Sequence, residues 1–140
     1  MKKIIVLILV VISMSSFNAP LEINNFNIVG KWTGIDNNND KGSFVFDFEG
    51  YATIIKEGES MGGKEFEMQG IKACMKYKID YSSTPIKFDI VVTALKTKES
   101  RSMKMLLKIE DGNTIKLASD FNETRPKNFT KENTILLKRE

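Results

Sequence analysis

The cleanest period-two alternation in this chain, over residues 71–81, constrains its fold more than any other feature. Ile71, Ala73, Met75, Tyr77, Ile79 and Tyr81 fall on one side; Lys72, Cys74, Lys76, Lys78 and Asp80 fall on the other. Successive side chains of a strand point to opposite faces, so this pattern requires a strand with one apolar face and one charged face. Ser82-Ser83-Thr84-Pro85 then turns the chain, and the pattern resumes. Ile86, Phe88, Ile90, Val92 and Ala94 oppose Lys87 and Asp89; Met103, Met105, Leu107 and Ile109 oppose Lys104, Lys108 and Glu110. Asp111-Gly112-Asn113 is a hairpin signal leading into Ile115, Leu117 and Ser119. After a polar loop, Thr134 to Arg139 forms a last strand with Ile135, Leu137 and Arg139 on one face.

The first half is β-forming but more broken. Phe26 to Ile35 holds the only tryptophan, Trp32, between Gly30 and Gly34, where a glycine permits a bulge or a close backbone approach. The residues 36–42 are a polar turn, and Ser43 to Phe48 alternates with Phe44, Phe46 and Phe48 on one face. That triplet suits either plain core or the aromatic wall of a cavity. Glu49-Gly50 reverses the chain into the β-branched run 51–55. Residues 57–70, with Gly58, Gly62 and Gly63, are the least regular part, a loop at a barrel mouth or a long hairpin, within which Phe66 and Met68 can begin the next strand with Gly70 as a bulge. No stretch shows sustained helical periodicity. Counting the runs predicts an all-β domain of about eight strands joined mostly by short turns, an antiparallel up-and-down barrel.

Residues 1–19 read as a signal peptide ahead of a barrel domain over 20–140. Met1-Lys2-Lys3 is a basic start, Ile4 to Ile12 is apolar, and small residues follow up to Ala19. The apolar run is shorter than the roughly 20 residues a bilayer span needs, and no cysteine near the cut could accept a lipid. The mature chain is therefore expected to be exported, periplasmic or extracellular, without a membrane span. Without Lys2 and Lys3 the 21 basic residues fall to 19 against 18 acidic ones, and no basic cluster is interleaved with aromatics. A nucleic-acid partner is not expected. Cys74 has no second cysteine to pair with, so it is a free thiol or an intermolecular link, and its parity predicts an outward, partly exposed position.

Catalytic chemistry finds few carriers. The chain has no histidine, so the commonest general base and metal ligand is missing. Neither a Gly-x-Ser-x-Gly elbow nor a phosphate-binding glycine signature occurs. Glu57 and Glu59, like Glu65 and Glu67, read as solvated charge rather than as catalytic pairs. Asn122-Glu123-Thr124 and Asn128-Phe129-Thr130 match the glycosylation pattern. No catalytic residue, metal or cofactor is expected.

Gly30-Lys31-Trp32 near the start of a small all-β domain resembles the first-strand signature of the lipocalins and their calycin relatives. Lys76 to Asp80 followed by Pro85 to Asp89 is similar to a pattern in small exported bacterial lipocalin-like domains, and so are Asp111 to Leu117, Arg125 to Phe129 and Leu136 to Arg139. The resemblance covers roughly Ile28 to the C-terminus. It implies a barrel whose first strand pairs with its last, with the Trp at the narrow end and an apolar ligand inside. The stretch Thr33 to Asp40 departs from the longer lipocalin signature, so no ligand specificity carries over.

These readings combine into a monomeric, non-enzymatic binding protein for a small apolar or amphipathic ligand. The expected cavity wall is Phe44, Phe46, Phe48, Met75, Tyr77, Phe88, Ile90, Met103, Met105 and Ser119. Gly30, Trp32 and Arg139 are expected at the closure of the barrel, with the Arg139 guanidinium over the indole. The competing expectation is a barrel with a filled interior that binds another protein, as a periplasmic inhibitor or envelope accessory factor, through loops such as 57–70 and 121–133.

Overall fold

A computed structural model describes residues 25–36, 38–120 and 122–140. The expected leader over 1–19 lies outside the described residues. Ten strands form one antiparallel sheet. They are β1 (Gly30–Ile35), β2 (Lys41–Phe46), β3 (Ala52–Lys56), β4 (Glu59–Gly62), β5 (Phe66–Met68), β6 (Ile71–Asp80), β7 (Ile86–Ala94), β8 (Ser100–Asp111), β9 (Thr114–Ser119) and β10 (Thr134–Arg139). Their order in the sheet is β4-β3-β2-β1-β10-β9-β8-β7-β6-β5, so the first strand joins the last and each other neighbour is a sequence neighbour. No α-helix occurs among the described residues.

The sheet curls until its two edges almost meet. β4 and β5 are the edges, and the three residues between them carry the chain across the gap. The Met75 N–H donates to the Gly63 carbonyl at 2.9 Å and the Tyr77 N–H to the Gly50 carbonyl at 3.0 Å, while Tyr51 bridges to Lys76. Backbone groups at the edges are thus partly satisfied across the seam, which blunts their tendency to pair with another chain. The result is a nearly closed barrel of ten strands rather than about eight. The difference lies in the glycine-rich stretch, which forms the short strands β4 and β5. Gly62 at the end of β4 has φ +129° and lies against the Ala52 carbonyl, where a Cβ would sit 2.3 Å from the oxygen.

Register follows the alternation. Trp32, Phe44 and Ile54 stand in one cross-strand row, as do Tyr77, Ile90 and Met103. The interior holds Trp32, Phe46, Met75, Phe88, Ile90, Met105, Leu107, Ile115, Leu117 and Leu137, all buried. Three expectations need correction. Phe48 is 85% exposed, because β2 ends at Phe46 and Asp47 turns the chain, its Oδ1 accepting from the N–H groups of Glu49 and Tyr51. The two ends of the apolar series of β6 are exposed, Ile71 at the strand's start and Tyr81 beyond its end. Cys74 is outward by register yet only 9% exposed. Its short side chain sits between the longer Lys72 and Lys76 on the same strand face, with Thr93 across from it.

The outer face of β7 and β8 is also covered. Arg125 forms an ion pair with Asp89 at 2.8 Å and donates to the Met105 carbonyl at 2.7 Å, which ties the segment 122–133 to the barrel wall. Leu106 and Ala118, outward by register, are buried on this side of the barrel, and so is Pro126 of the segment itself.

Candidate functional site

The two ends of the barrel differ in how their interior is filled. At one end lie the start of β1 and the turns at 47–51, 81–85 and 112–113. Here Trp32 is fully buried and its Nε1–H donates to the Ile28 carbonyl at 2.8 Å. Trp32 and Arg139 are opposed in register, and the guanidinium carbon of Arg139 stands 4.2 Å from the indole centroid. Arg139 Nη1 donates to the Val29 carbonyl at 2.7 Å, and Nη2 donates to the carbonyls of Asn27 and Gly112. A buried-side charge is thereby placed on an aromatic face and on backbone acceptors. Gly30 has φ +138°, and a Cβ there would meet Arg139 Nη1 at 2.9 Å. The glycine is what lets the guanidinium lie this close to β1.

Phe46, Tyr77 and Phe88 belong to the same packed region. Phe46 meets the Tyr77 ring edge-on at 5.0 Å and the Phe88 ring at 5.5 Å, geometry that aromatic quadrupoles favour. The Tyr77 hydroxyl donates to the Asp47 carbonyl at 2.7 Å. Burial, reinforced by the nearby Asp47 charge, pushes its phenol pKa above the ordinary value. These three residues face inward and pack on one another.

The opposite end is open. A cavity of about 470 Å³ is walled by Phe44, Ile54, Met103, Met105, Leu117 and Ile135, with Ser119 a polar group in the wall. Its rim carries Asp36, Asn38, Asp40, Lys56, Glu132, Asn133 and Thr134. A second cavity of about 690 Å³ adjoins it, lined by Met61, Met75, Ile90 and Val92 together with Arg101, Asn122 and Glu123. Ile54 and Met103 belong to both walls. Of the residues expected to form a cavity wall, Phe44, Met75, Ile90, Met103, Met105 and Ser119 therefore border these spaces. Phe46, Tyr77 and Phe88 lie in the packed end, and Phe48 lies outside. Ile54, Leu117, Ile135 and Arg101 were not among those expected. Their signal was available in register: Ile54 pairs with Phe44, Ile135 with Leu117, and Arg101 with the inward Val92.

Charge on the rim is internally compensated on one side. Lys56 Nζ stands 3.7 Å from both Asp36 and Asp40. The Asp40 N–H, with help from the Asn38 N–H and Lys56, holds the Asp36 carboxyl below its ordinary range against the cost of desolvation. Among the described residues no group of three His, Cys, Asp or Glu side chains is placed to hold a metal ion. What this end can do physically is take apolar surface out of water while its rim meets a polar group. Comparison of the chain with family models, with curated proteins and with solved structures finds no match.

Proposed function

We propose that this chain is an exported, lipocalin-like binding protein that sequesters or carries a small apolar or amphipathic molecule in the open end of its barrel. The observation that carries this reading is the cavity of about 470 Å³ beneath a polar rim. Ligand sites are concave, mostly apolar and typically about 300–1,000 Å³, with a few polar groups to orient the ligand. A barrel whose purpose was to present its loops to a protein would gain stability by filling that space. The packed end supports the same division, because it supplies a fold that does not depend on occupancy. Export rests on the leader Met1 to Ala19, and N-terminal sequencing of secreted material should begin between Phe17 and Leu21.

The test is saturable binding of a neutral apolar dye such as Nile red, displaced by long-chain alcohols. Met103 borders both cavities, so Met103→Trp should obstruct both and weaken dye binding while the circular dichroism spectrum stays that of the parent. Dye affinity unchanged by Met103→Trp, or no binding by the parent, would transfer the assignment to a protein partner.

A further inference from the structure

The open end carries a second feature, resting on the binding reading above, that bears on what kind of head group the ligand has. Three cations occupy inward positions by register: Lys56, Arg101 and Arg139. Arg139 is committed to Trp32 and three backbone carbonyls at the closed end. Lys56 is shared between two aspartates. Arg101 continues the inward series Met103, Met105 and Leu107 at the mouth end of β8, it lines the larger cavity, and it is exposed. Among the described residues its side chain has no hydrogen-bond or ion-pair partner. Its planar fork of N–H donors stands above a wall made of Met75, Ile90, Val92 and Met103, unclaimed by any described residue.

We propose that Arg101 receives the anionic head of an amphiphile, a long-chain carboxylate, whose chain runs into the barrel along the inner faces of β6, β7 and β8. A guanidinium presents two parallel N–H groups to a carboxylate, a geometry that a lysine ammonium cannot offer. Glu123 shares this wall and opposes an anion, but no ion pair joins it to Arg101 among the described residues. Glu99 also opposes an anion, whereas Lys96 and Lys98 in the adjacent turn favour one, so the β7–β8 side of the mouth is net positive. On the other side Asp36 and Asp40 neutralise Lys56, which steers an anion towards Arg101.

Palmitate, hexadecanol and hexadecyltrimethylammonium share one chain and differ in head charge, so dye displacement by the three separates head from tail. At low salt palmitate should bind the purified chain about fivefold more tightly than hexadecanol, the scale of an exposed ion pair. High salt should shrink that ratio. Arg101→Gln should bring palmitate to the level of hexadecanol and leave hexadecanol unchanged, while Lys104→Gln, the same loss of charge on the outer face, should keep the ratio. Equal binding of the two by the parent would overturn the proposal. An equal loss for both in Arg101→Gln, or tightest binding of the cationic amphiphile, would overturn it too. If none of the three binds, the cavity reading itself fails, which is a different result.

Discussion

Arg139→Ala removes three hydrogen bonds and one cation–π contact from a single side chain one residue from the C-terminus. The indole contact is at 4.2 Å over a fully buried ring, so it merits about 1 kcal/mol. The half-buried bond to the Val29 carbonyl adds about 1.5 kcal/mol, as charge-assisted bonds do, and the two exposed bonds add little. The variant should therefore lose about 2–3 kcal/mol. Urea unfolding followed by Trp32 fluorescence measures it, with an unchanged slope to show that the unfolded state is the same. Double-mutant analysis isolates the indole contact, with circular dichroism as the common probe because Trp32→Phe removes the fluorophore. Trp32→Phe and Arg139→Ala should couple by about 0.5–1 kcal/mol, beyond the scatter of independent sites. A loss below about 0.3 kcal/mol for Arg139→Ala, or strict additivity, would show that the closure of β1 on β10 does not depend on this side chain.

Three further outcomes follow from the packing. Cys74 is buried, so thiol reagents should fail to modify the folded protein, and Cys74→Ser should cost about 1–3 kcal/mol by placing a hydroxyl there; rapid labelling of native protein would contradict this. Arg125→Ala should lose about 1–3 kcal/mol and speed proteolytic cutting within 122–133, because Asp89 loses its partner and the Met105 carbonyl its donor; an unchanged cutting rate would refute the tether. Asp36 and Asp80 have folded-state pKa values held below the ordinary 3.8, the first chiefly by the Asp40 N–H and the second chiefly by the Ser82 hydroxyl. A depressed carboxylate contributes stability above its unfolded value that is lost as pH falls through the folded one. Thermal midpoints should thus hold between about pH 8 and 5 and drop below about pH 4. A midpoint that rises on acidification from pH 5 to pH 3 would reverse that sign.

Alternation carries one coordinate of a barrel and omits another. It tells whether a side chain points in or out, and from it the row Trp32, Phe44, Ile54 and the buried faces of β6 to β9 can be read directly. It does not tell height along the barrel axis. Phe46, Tyr77 and Phe88 point inward like Phe44 and Met103, yet they meet one another at the packed end, because height is set by pairing register across several strands. Phe48 was illegible for a local reason: an Asp side chain captured two backbone N–H groups and ended the strand two residues early. Cys74 shows a third limit, since a short side chain among long ones is buried without facing the core. Arg101 was legible from parity, but nothing in the sequence marks it as lacking a partner among the described residues where Lys56 is shared.

The composition of the two ends gives the proposed binding function a physical basis. The packed end uses rigid aromatic and branched groups, Trp32, Phe46, Phe88, Ile115 and Leu137, whose edge-on contacts and few rotamers favour one arrangement. Towards the mouth the wall turns to methionine: Met61, Met75, Met103 and Met105 all border the cavities. Unbranched thioether chains with three rotatable bonds fill irregular gaps and can repack around differing shapes. Stability concentrated at one end, in the Trp32–Arg139 closure and the Phe46–Phe88 contact, permits this softness at the other. Such a wall suits a flexible chain better than a rigid ring system. In the proposed function, discrimination would fall to the rim, where Lys56 is shared between two aspartates and Arg101 has no partner among the described residues.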